Sequence, residues 1–252
     1  MIKRNLYVFK NAIEVEEYHD GRYGAPGAKR QPKRKATKEQ IEKVNQYNKE
    51  KWARRRLRMY FEVGRDWFLT LTYRKDARPP DMETAKKHFS DFLRKIRKEY
   101  RKRGIRLCWI RNIENTPTNN WHIHLAISDI PNENILVILK KAWPHGRVKD
   151  PQQLYEKGEL RGLAAYITKN EKTKPEYVPD GVMDHKVTEA SYSHSRNMPL
   201  PEPDTDLLKR WKKEPWVKKG FYIDRDTLFE GINKVTGYEY RHYTMIRIVR
   251  RE

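Results

Sequence analysis

Two histidines at alternating positions of a short apolar segment are the residues best placed to do chemistry. The segment, WHIHLAI, spans residues 121–127. If it forms a β-strand, His122 and His124 point to one face of a sheet and the apolar residues point to the other, because successive strand side chains alternate. Two neighbouring imidazoles on one face are suited to binding a divalent metal ion. The alternative is that both are ordinary strand histidines.

A carboxylate that can complete such a metal site comes shortly before the histidines. Glu114 lies at the end of the preceding apolar segment, and only residues 115–120 separate it from Trp121. If the two segments pair as a hairpin, Glu114 lies near His122. One carboxylate and two neutral imidazoles leave coordination positions open for water or a phosphate oxygen. This mixed set of ligands predicts a site for Mn²⁺ or Mg²⁺, and it also suits zinc.

Tyr166 and Lys169 are the candidates for covalent chemistry. The sequence predicts a helix over residues 159–170, on which Tyr166 lies roughly 110° from the centre of the apolar stripe and Lys169 lies one turn further on the same side. A phenol has a pKa near 10 and is a weak nucleophile when protonated. A neighbouring ammonium group favours the phenolate and can hold the negative charge of a phosphate. The alternative is a tyrosine at the edge of the core, one of 15 in the chain.

The surrounding segments predict an α+β fold, in which helices flank an antiparallel sheet. Strand patterns cover residues 67–73, 105–114 and 121–128, with a short strand over 146–149, and helix patterns cover 82–103, 132–143 and 159–170. This order is typical of a ferredoxin-like, or split βαβ, arrangement. A T-x-x-Q capping pattern at Thr37 predicts one more helix, which ends near Phe61. After residue 171 the signal weakens: 172–203 has the composition of a loop, and 221–223 and 238–249 are candidate strands.

These patterns divide the chain into three parts. Residues 1–36 have the composition of a basic, flexible and irregular arm, since residues 21–35 read GRYGAPGAKRQPKRK. Residues 37–200 form the predicted domain that carries the candidate site. Residues 201–252 are a C-terminal extension that either packs on the same sheet or forms a separate unit.

The charge of the chain predicts a polyanionic partner. Lys and Arg number 55 against 34 Asp and Glu, a net charge of +21. Nucleic acid is the first candidate partner and an anionic membrane surface is the second. The positive charge is densest in the arm and in the first helix, which predicts contacts to a DNA backbone from six residues: Lys33, Arg34, Lys35, Arg54, Arg55 and Arg56.

The compartment is also indicated by composition. Cys108 is the only cysteine, which excludes an intramolecular disulfide and fits a reducing, cytoplasmic environment. No apolar run approaches the roughly 20 residues of a membrane helix. The first residues lack the apolar core of a signal peptide. We therefore expect a cytoplasmic protein.

Three short motifs occur in a characteristic order. They are FLTLTY at residues 68–73, HIH at 122–124 and YITK at 166–169. Together they resemble the HUH endonuclease superfamily, in its branch of rolling-circle replication initiators, which plasmids, filamentous phages and related prophages encode. The segment SYSHSRNMPLP at 191–201 is similar to a stretch that often follows in phage-type initiators. The resemblance covers about residues 40–200.

The resemblance implies a metal-dependent, site-specific endonuclease that nicks and rejoins single-stranded DNA. In that family two histidines and an acidic residue hold the metal, which implies these roles for His122, His124 and Glu114. The helix tyrosine, here Tyr166, forms a 5′-phosphotyrosine ester and releases a 3′-hydroxyl, and the lysine after it, here Lys169, assists at the phosphate. The implied partners are origin DNA and the helicase and replication machinery of a bacterial or phage-infected host.

Two departures from the family narrow this expectation. Some phage initiators carry a second tyrosine in the third motif, where this chain has Lys169 or Asn170, so it resembles a single-tyrosine enzyme. The chain also has no P-loop, so no helicase domain of the kind found in some viral relatives is expected.

Alternative functions remain open at this point. A relaxase of the same superfamily usually places its tyrosine before the histidine motif, whereas Tyr166 follows it here. Small transposases share this motif order but are usually shorter and lack the long basic helix. A non-catalytic nucleic-acid binder is a different class, which the positive charge, 15 Tyr and 7 Trp also suit.

Overall fold

The protein is α+β, as the sequence predicts. The structure is a computed structural model that describes residues 1–19, 37–154, 160–173, 178–180, 182, 185–233 and 237–248. The chain divides into two compact units, Glu42–Leu200 and a unit formed by Met1–Ile41 together with Pro201–Glu252. The described residues contain ten strands and four α-helices: β1 (Ile2–Val8), β2 (Ala12–His19), α1 (Lys38–Tyr60), β3 (Trp67–Thr72), α2 (Met82–Lys102), β4 (Trp109–Asn115), β5 (Trp121–Ile127), α3 (Ile135–Ala142), β6 (Val148–Gln153), α4 (Arg161–Ile167), β7 (Glu189–His194), β8 (Asp204–Leu208), β9 (Phe221–Ile232) and β10 (Glu239–Arg247).

A five-stranded antiparallel sheet organises the unit Glu42–Leu200. Its strand order is β6-β3-β5-β4-β7. The predicted alternation is confirmed, because Leu69 and Ile123 belong to the core on one face whereas Phe68 and Ala126 belong to the core on the other. The polar face of β5 therefore stays available for the two histidines.

Helices α2 and α3 cover the first face of this sheet. The Oδ1 atom of Asp81 caps α2 by accepting a hydrogen bond from the backbone N–H of Thr84 at 2.7 Å. The apolar side of α2 packs Phe89, Phe92 and Ile96 into the core. Each such burial stabilises the fold by about 1.5–3 kcal/mol. This packing fixes β4 and β5 from behind.

Helices α1 and α4 contribute to the core on the second face. The predicted capping box of α1 is confirmed: Gln40 N–H donates to Thr37 Oγ1 at 3.2 Å, and Thr37 N–H donates to Gln40 Oε1 at 3.0 Å. Ala53 and Leu57 of α1 belong to the same buried cluster as residues of α4. No helix among the described residues combines the length and apolar character needed to cross a membrane.

The unit formed by the two chain ends has its own five-stranded sheet, in the order β8-β1-β2-β10-β9. Its small apolar core includes Val15, Tyr243 and Met245. The carboxylate of Glu17 is buried between two guanidinium groups, with Arg4 Nε and Arg241 Nε each at 2.5 Å. Paired in this way, a charged group can be buried inside a small sheet.

Several expectations about secondary structure need correction. Residues 1–36 were expected to be irregular, but residues 2–8 and 12–19 form β1 and β2; residues 20–36 lie outside the described residues. Their charged residues disguised the strand pattern, because burial of Glu17 between arginines has no local signal. The loop expected over 172–203 contains the polar strand β7. The strands after residue 201 pair with β1 and β2 rather than with the sheet of the candidate site. The expected domain boundaries stay predictions.

The turn before β6 depends on a glycine and supplies the first prediction. A Cβ atom on Gly146 would lie 1.9 Å from the backbone oxygen of Thr72, which also accepts hydrogen bonds from Arg147 N–H at 3.2 Å and Trp143 Nε1–H at 2.9 Å. Gly146→Ala should lower the free energy of unfolding in urea by about 2–3 kcal/mol. The control Gly104→Ala changes a glycine with φ +64° and open space around it, and should cost about 1 kcal/mol. Equal losses in the two variants would contradict the close approach.

Candidate metal and tyrosine site

The sheet brings the predicted metal ligands together. In the register of β4 and β5, Glu114 lies opposite His122 and Asn112 lies opposite His124. The predicted hairpin is therefore confirmed. On the other side of β5, Thr70 lies opposite His124, so all these side chains share the second face of the sheet.

The cluster with metal-binding geometry includes a histidine that the sequence did not indicate. One ligand atom from each of Glu114, His124 and His185 lies within 4.8 Å of the other two, and the Nε2 atoms of both histidines are 3.4 Å from Glu114 Oε2. His185 follows a stretch without helix or strand periodicity, 61 positions after His124. No motif marks it, so only the three-dimensional arrangement identifies it.

His122 is adjacent to this cluster but is not one of its three members among the described residues. Its ring centroid lies 4.9 Å from that of His185 and 6.3 Å from that of His124. Burial, together with the neighbouring His124 and His185, lowers the pKa of His122 to about 4. The ring is therefore neutral at pH 7, as a ligand must be. Its role as a ligand stays a prediction.

The carboxylate of Glu114 is buried and surrounded by positive or proton-carrying groups. Its Oε2 atom lies 3.3 Å from Lys169 Nζ and 3.4 Å from both His124 Nε2 and His185 Nε2. Burial alone would raise the pKa of Glu114, but His124, His185 and Lys169 outweigh burial and hold this pKa far below its usual range. Glu114 is therefore a carboxylate at neutral pH.

His124 is held by hydrogen bonds at both ring nitrogens. Thr70 Oγ1 lies 3.0 Å from Nδ1, and Tyr166 Oη lies 3.1 Å from Nε2. When the phenol donates to Nε2, the ring proton sits on Nδ1 and is donated to the threonine hydroxyl. The lone pair that a metal would need on Nε2 is then occupied by the tyrosine.

Helix α4 is shorter than expected and Tyr166 is more buried than expected. The helix covers Arg161–Ile167, and the side chain of Thr168 ends it by donating to the backbone oxygen of Ala164 at 2.7 Å. Tyr166 was expected off the apolar stripe and within reach of a phosphate. That expectation of exposure is wrong: Tyr166 is 0% exposed, belongs to the second-face core and makes an edge contact with Phe68 at 6.2 Å.

Lys169 lies beside Tyr166, as expected, but beyond the end of the helix. Its Nζ atom lies 4.2 Å from the centre of the Tyr166 ring, and the side chain is 1% exposed. Asn112 fixes this segment, because its Nδ2 atom donates both to the backbone oxygen of Lys169 and to Glu114 Oε1, each at 2.9 Å. Asn112 thus ties the tyrosine helix to the metal-ligand strand, a role that no sequence pattern indicated.

A polar cleft of about 510 Å³ opens above the cluster. His122, His124 and His185 line it, and its walls include the threonines of β3 and two lysines, Lys149 and Lys186. Tyr166 is not among the lining residues. The cleft can receive a phosphate-bearing strand, and the phenol reaches its lining through the hydrogen bond to His124.

The expected DNA-binding residues have different surroundings. Arg55 is 3% exposed, so the structure removes it from the surface that a DNA backbone can contact. Arg54 and Arg56 are half-buried, and Arg56 Nε donates to the backbone oxygen of Met198 at 3.0 Å. Residues 33–35 lie outside the described residues. Apart from the correction for Arg55, this set stays a prediction.

The donor set fits a divalent metal. Glu114 Oε2 is buried without a hydrogen-bond partner of good geometry in the described part of the chain, and two imidazole nitrogens converge on it. Carboxylate oxygen together with imidazole nitrogen suits Mn²⁺, Mg²⁺ and Zn²⁺ in different degrees, so the identity of the metal is not fixed by the ligands. With a phenol and an ammonium group alongside, these are the side chains that metal-assisted phosphoryl transfer uses.

Comparison with known families agrees with this class of site. A family model for replication-associated proteins, of the ORF2 and gene 2 protein type, matches residues 66–171. The matched region contains Glu114, both histidines of β5, Tyr166 and Lys169, and it ends before His185. The match indicates a role in DNA replication. No curated protein and no solved structure matches the chain.

The two possible ligand sets can be separated by metal titration. We expect His185→Gln to weaken Mn²⁺ binding at least about tenfold, since even changes behind a ligand cost that much. His122→Gln reports whether the predicted ligand also contributes, and His194→Gln is a control on β7. Isothermal titration at pH 7.5 measures all three variants. An unchanged affinity in His185→Gln would remove His185 from the metal site.

The bond between Tyr166 and His124 predicts competition between the phenol and a metal. Tyr166→Phe removes the hydroxyl that occupies His124 Nε2, so its affinity for Mn²⁺ should rise about 3- to 10-fold, the value of one neutral hydrogen bond. Tyr73→Phe is the matched control, because the buried Tyr73 hydroxyl has no hydrogen-bond partner among the described residues. A weaker affinity in Tyr166→Phe would show instead that the phenol oxygen is itself a ligand.

Proposed function

We propose that this protein is a rolling-circle replication initiator of the HUH endonuclease type, which nicks and rejoins single-stranded DNA. The observation that carries the proposal is the contact of Tyr166 Oη with His124 Nε2 at 3.1 Å, which joins the tyrosine and metal-ligand motifs in one site. The family match to residues 66–171 supports a role in replication. The sheet supports the expected core, because β6-β3-β5-β4 has the 4-1-3-2 strand order of a ferredoxin-like fold.

In the proposed reaction Tyr166 Oη forms a bond to the scissile phosphorus while the bond from phosphorus to the 3′ oxygen breaks. The phenol loses its proton and the 3′ oxygen gains one, so the products are a 5′-phosphotyrosine ester and a 3′-hydroxyl. Because the ester keeps the energy of the broken bond, the reverse attack by a 3′-hydroxyl rejoins the strand. A single tyrosine suffices for this cycle.

The chain's own residues have distinct roles in this proposal. Glu114 and His124, with His122 or His185, would hold a divalent ion, which supplies polarisation of the scissile phosphate when bound. The ammonium group of Lys169, 4.2 Å from the phenol ring centre, favours the phenolate and holds developing negative charge. Asn112 keeps the tyrosine segment aligned with the metal-ligand strand. Because Tyr166 is buried, its side chain has to leave His124 before it can reach DNA in the cleft.

A relaxase or transposase of the same superfamily would use the same chemistry, and a non-catalytic DNA binder would use none. The burial of Glu114 and Lys169 favours an enzyme over a binder. Neither residue is exposed enough to contact DNA from the surface, and burying both charges costs free energy that simple binding does not require.

Covalent trapping tests the proposal directly. Incubation with circular single-stranded DNA and Mn²⁺ should yield a protein–DNA adduct, and mass spectrometry should locate the nucleotide on Tyr166. Tyr166→Phe should abolish both nicking and the adduct, whereas Lys169→Ala should reduce the rate by about 10²–10³-fold, the usual effect of losing one electrostatic contact. Tyr192→Phe is the matched control, since Tyr192 lies opposite Asn112 in the same sheet.

Two results would refute parts of the proposal. An adduct on a tyrosine other than Tyr166 would sink the assignment of the nucleophile while leaving the enzyme class intact. DNA binding without cleavage or adduct under any divalent ion would support the non-catalytic binder instead.

A further inference from the structure

A second cavity, of about 240 Å³, lies near the C-terminal end of α2 and the start of β4. Its apolar surface comes largely from Tyr100 and Trp109, which are 1% and 7% exposed. Four arginines border it, and no acidic residue does: Arg97, Arg101, Arg106 and Arg196. A small cavity with an apolar base and a cationic rim is suited to an anionic ligand.

The charges around this cavity are not neutralised by the protein. Arg97, Arg101 and Arg196 form no ion pair within the part of the chain that the structure describes. By contrast, Arg94 and Arg103 on or next to the same helix pair with Asp91 and Glu99. Arginines facing the cavity are therefore left unpaired while neighbours facing elsewhere are paired.

The wall of the cavity is held in place by backbone contacts. Ser195 N–H donates to the backbone oxygen of Trp109 at 2.9 Å, and Trp109 N–H donates to Ser195 Oγ at 3.2 Å. Asn197 Nδ2 donates to the backbone oxygen of Leu107 at 3.0 Å, and a guanidinium nitrogen of Arg106 donates to Asn197 O. The turn after β7 is thus fixed against β4, which limits the entropy lost when a ligand binds.

This cavity is separate from the metal and tyrosine site. Trp109 and Glu114 are five residues apart on β4, which corresponds to about 17 Å along a strand. Trp109 belongs to the core on the first face of the sheet, whereas Glu114 points to the second. A ligand in one site does not touch the residues of the other.

We propose that this arginine-lined cavity binds a phosphodiester group of DNA outside the cleft. Guanidinium groups bind phosphate oxygens through paired hydrogen bonds, and a phosphate placed here would neutralise the mutual repulsion of the four arginines. The cavity gives the protein a second DNA contact that holds the strand, or its adjoining duplex, away from the reacting bond. This inference rests on the proposed function only in taking DNA as the partner.

Two charge-matched double variants test the cavity. Arg97→Gln with Arg101→Gln removes two positive charges at the cavity, and Lys87→Gln with Lys98→Gln removes two exposed charges elsewhere on α2. We expect the arginine pair to weaken binding of a 30-nucleotide strand about 10- to 100-fold and to reduce the salt slope by about 1.5, the value of two phosphate contacts. The lysine pair should change affinity less than about threefold.

The outcomes are decisive in each direction. Equal losses for the two pairs would show that only total charge matters and would overturn the proposal. So would a loss of thermal stability in the arginine pair without a loss of DNA affinity, because that result assigns the arginines to the C-terminal dipole of α2. If the double variant fails to fold, Arg196→Gln on the turn after β7 should still weaken DNA binding, and an unchanged affinity there would also overturn it.

Free phosphate separates the two sources of the same ligand chemistry. Titrating inorganic phosphate or a mononucleotide against a fluorescent DNA should displace it only weakly if the cavity holds one phosphate of a longer strand. Tight binding of the free anion that leaves DNA affinity unchanged would overturn the assignment to DNA. All these measurements are made without cleavage, so they stand or fall independently of adduct formation at Tyr166.

Discussion

The buried carboxylate of Glu114 is the constraint on which the site depends. An isolated carboxylate out of contact with water is too costly to keep charged, so partners must be brought to it. Lys169 arrives from the end of α4, His124 from β5 and His185 from a segment outside regular structure. The fold therefore converges on one oxygen atom, and stability and chemistry share the same groups.

That sharing explains why the tyrosine is enclosed. With its hydroxyl on His124 and its ring under Lys169, Tyr166 satisfies polar groups that would otherwise be buried without compensation. A single hydrogen bond of this kind contributes about 0.5–1.5 kcal/mol, which is small beside the binding energy that a strand of DNA supplies. Substrate binding can therefore open an arrangement that is well packed at rest.

The sequence predicted what depends on local periodicity. Alternation along residues 67–73 and 121–127 placed the histidines on the correct face, and the T-x-x-Q pattern located the start of α1. It failed where distant residues decide the outcome. His185 has no motif, Arg55 and Tyr166 are buried by packing that a helical wheel does not contain, and β1 and β2 hide their strand pattern behind charges that Arg4 and Arg241 neutralise from afar.

The two sheets differ in how their strands are distributed along the chain. The unit Glu42–Leu200 is one continuous stretch, so its sheet can form as soon as that stretch has left the ribosome. The other sheet pairs β2 with β10, and the register joins Tyr18 to Tyr240 across the whole of the first unit. Until β8, β9 and β10 are made, β1 and β2 lack these partners and present open edges. The order of synthesis thus leaves strands made early to be completed late, which makes the interval before β10 emerges the step most exposed to aggregation.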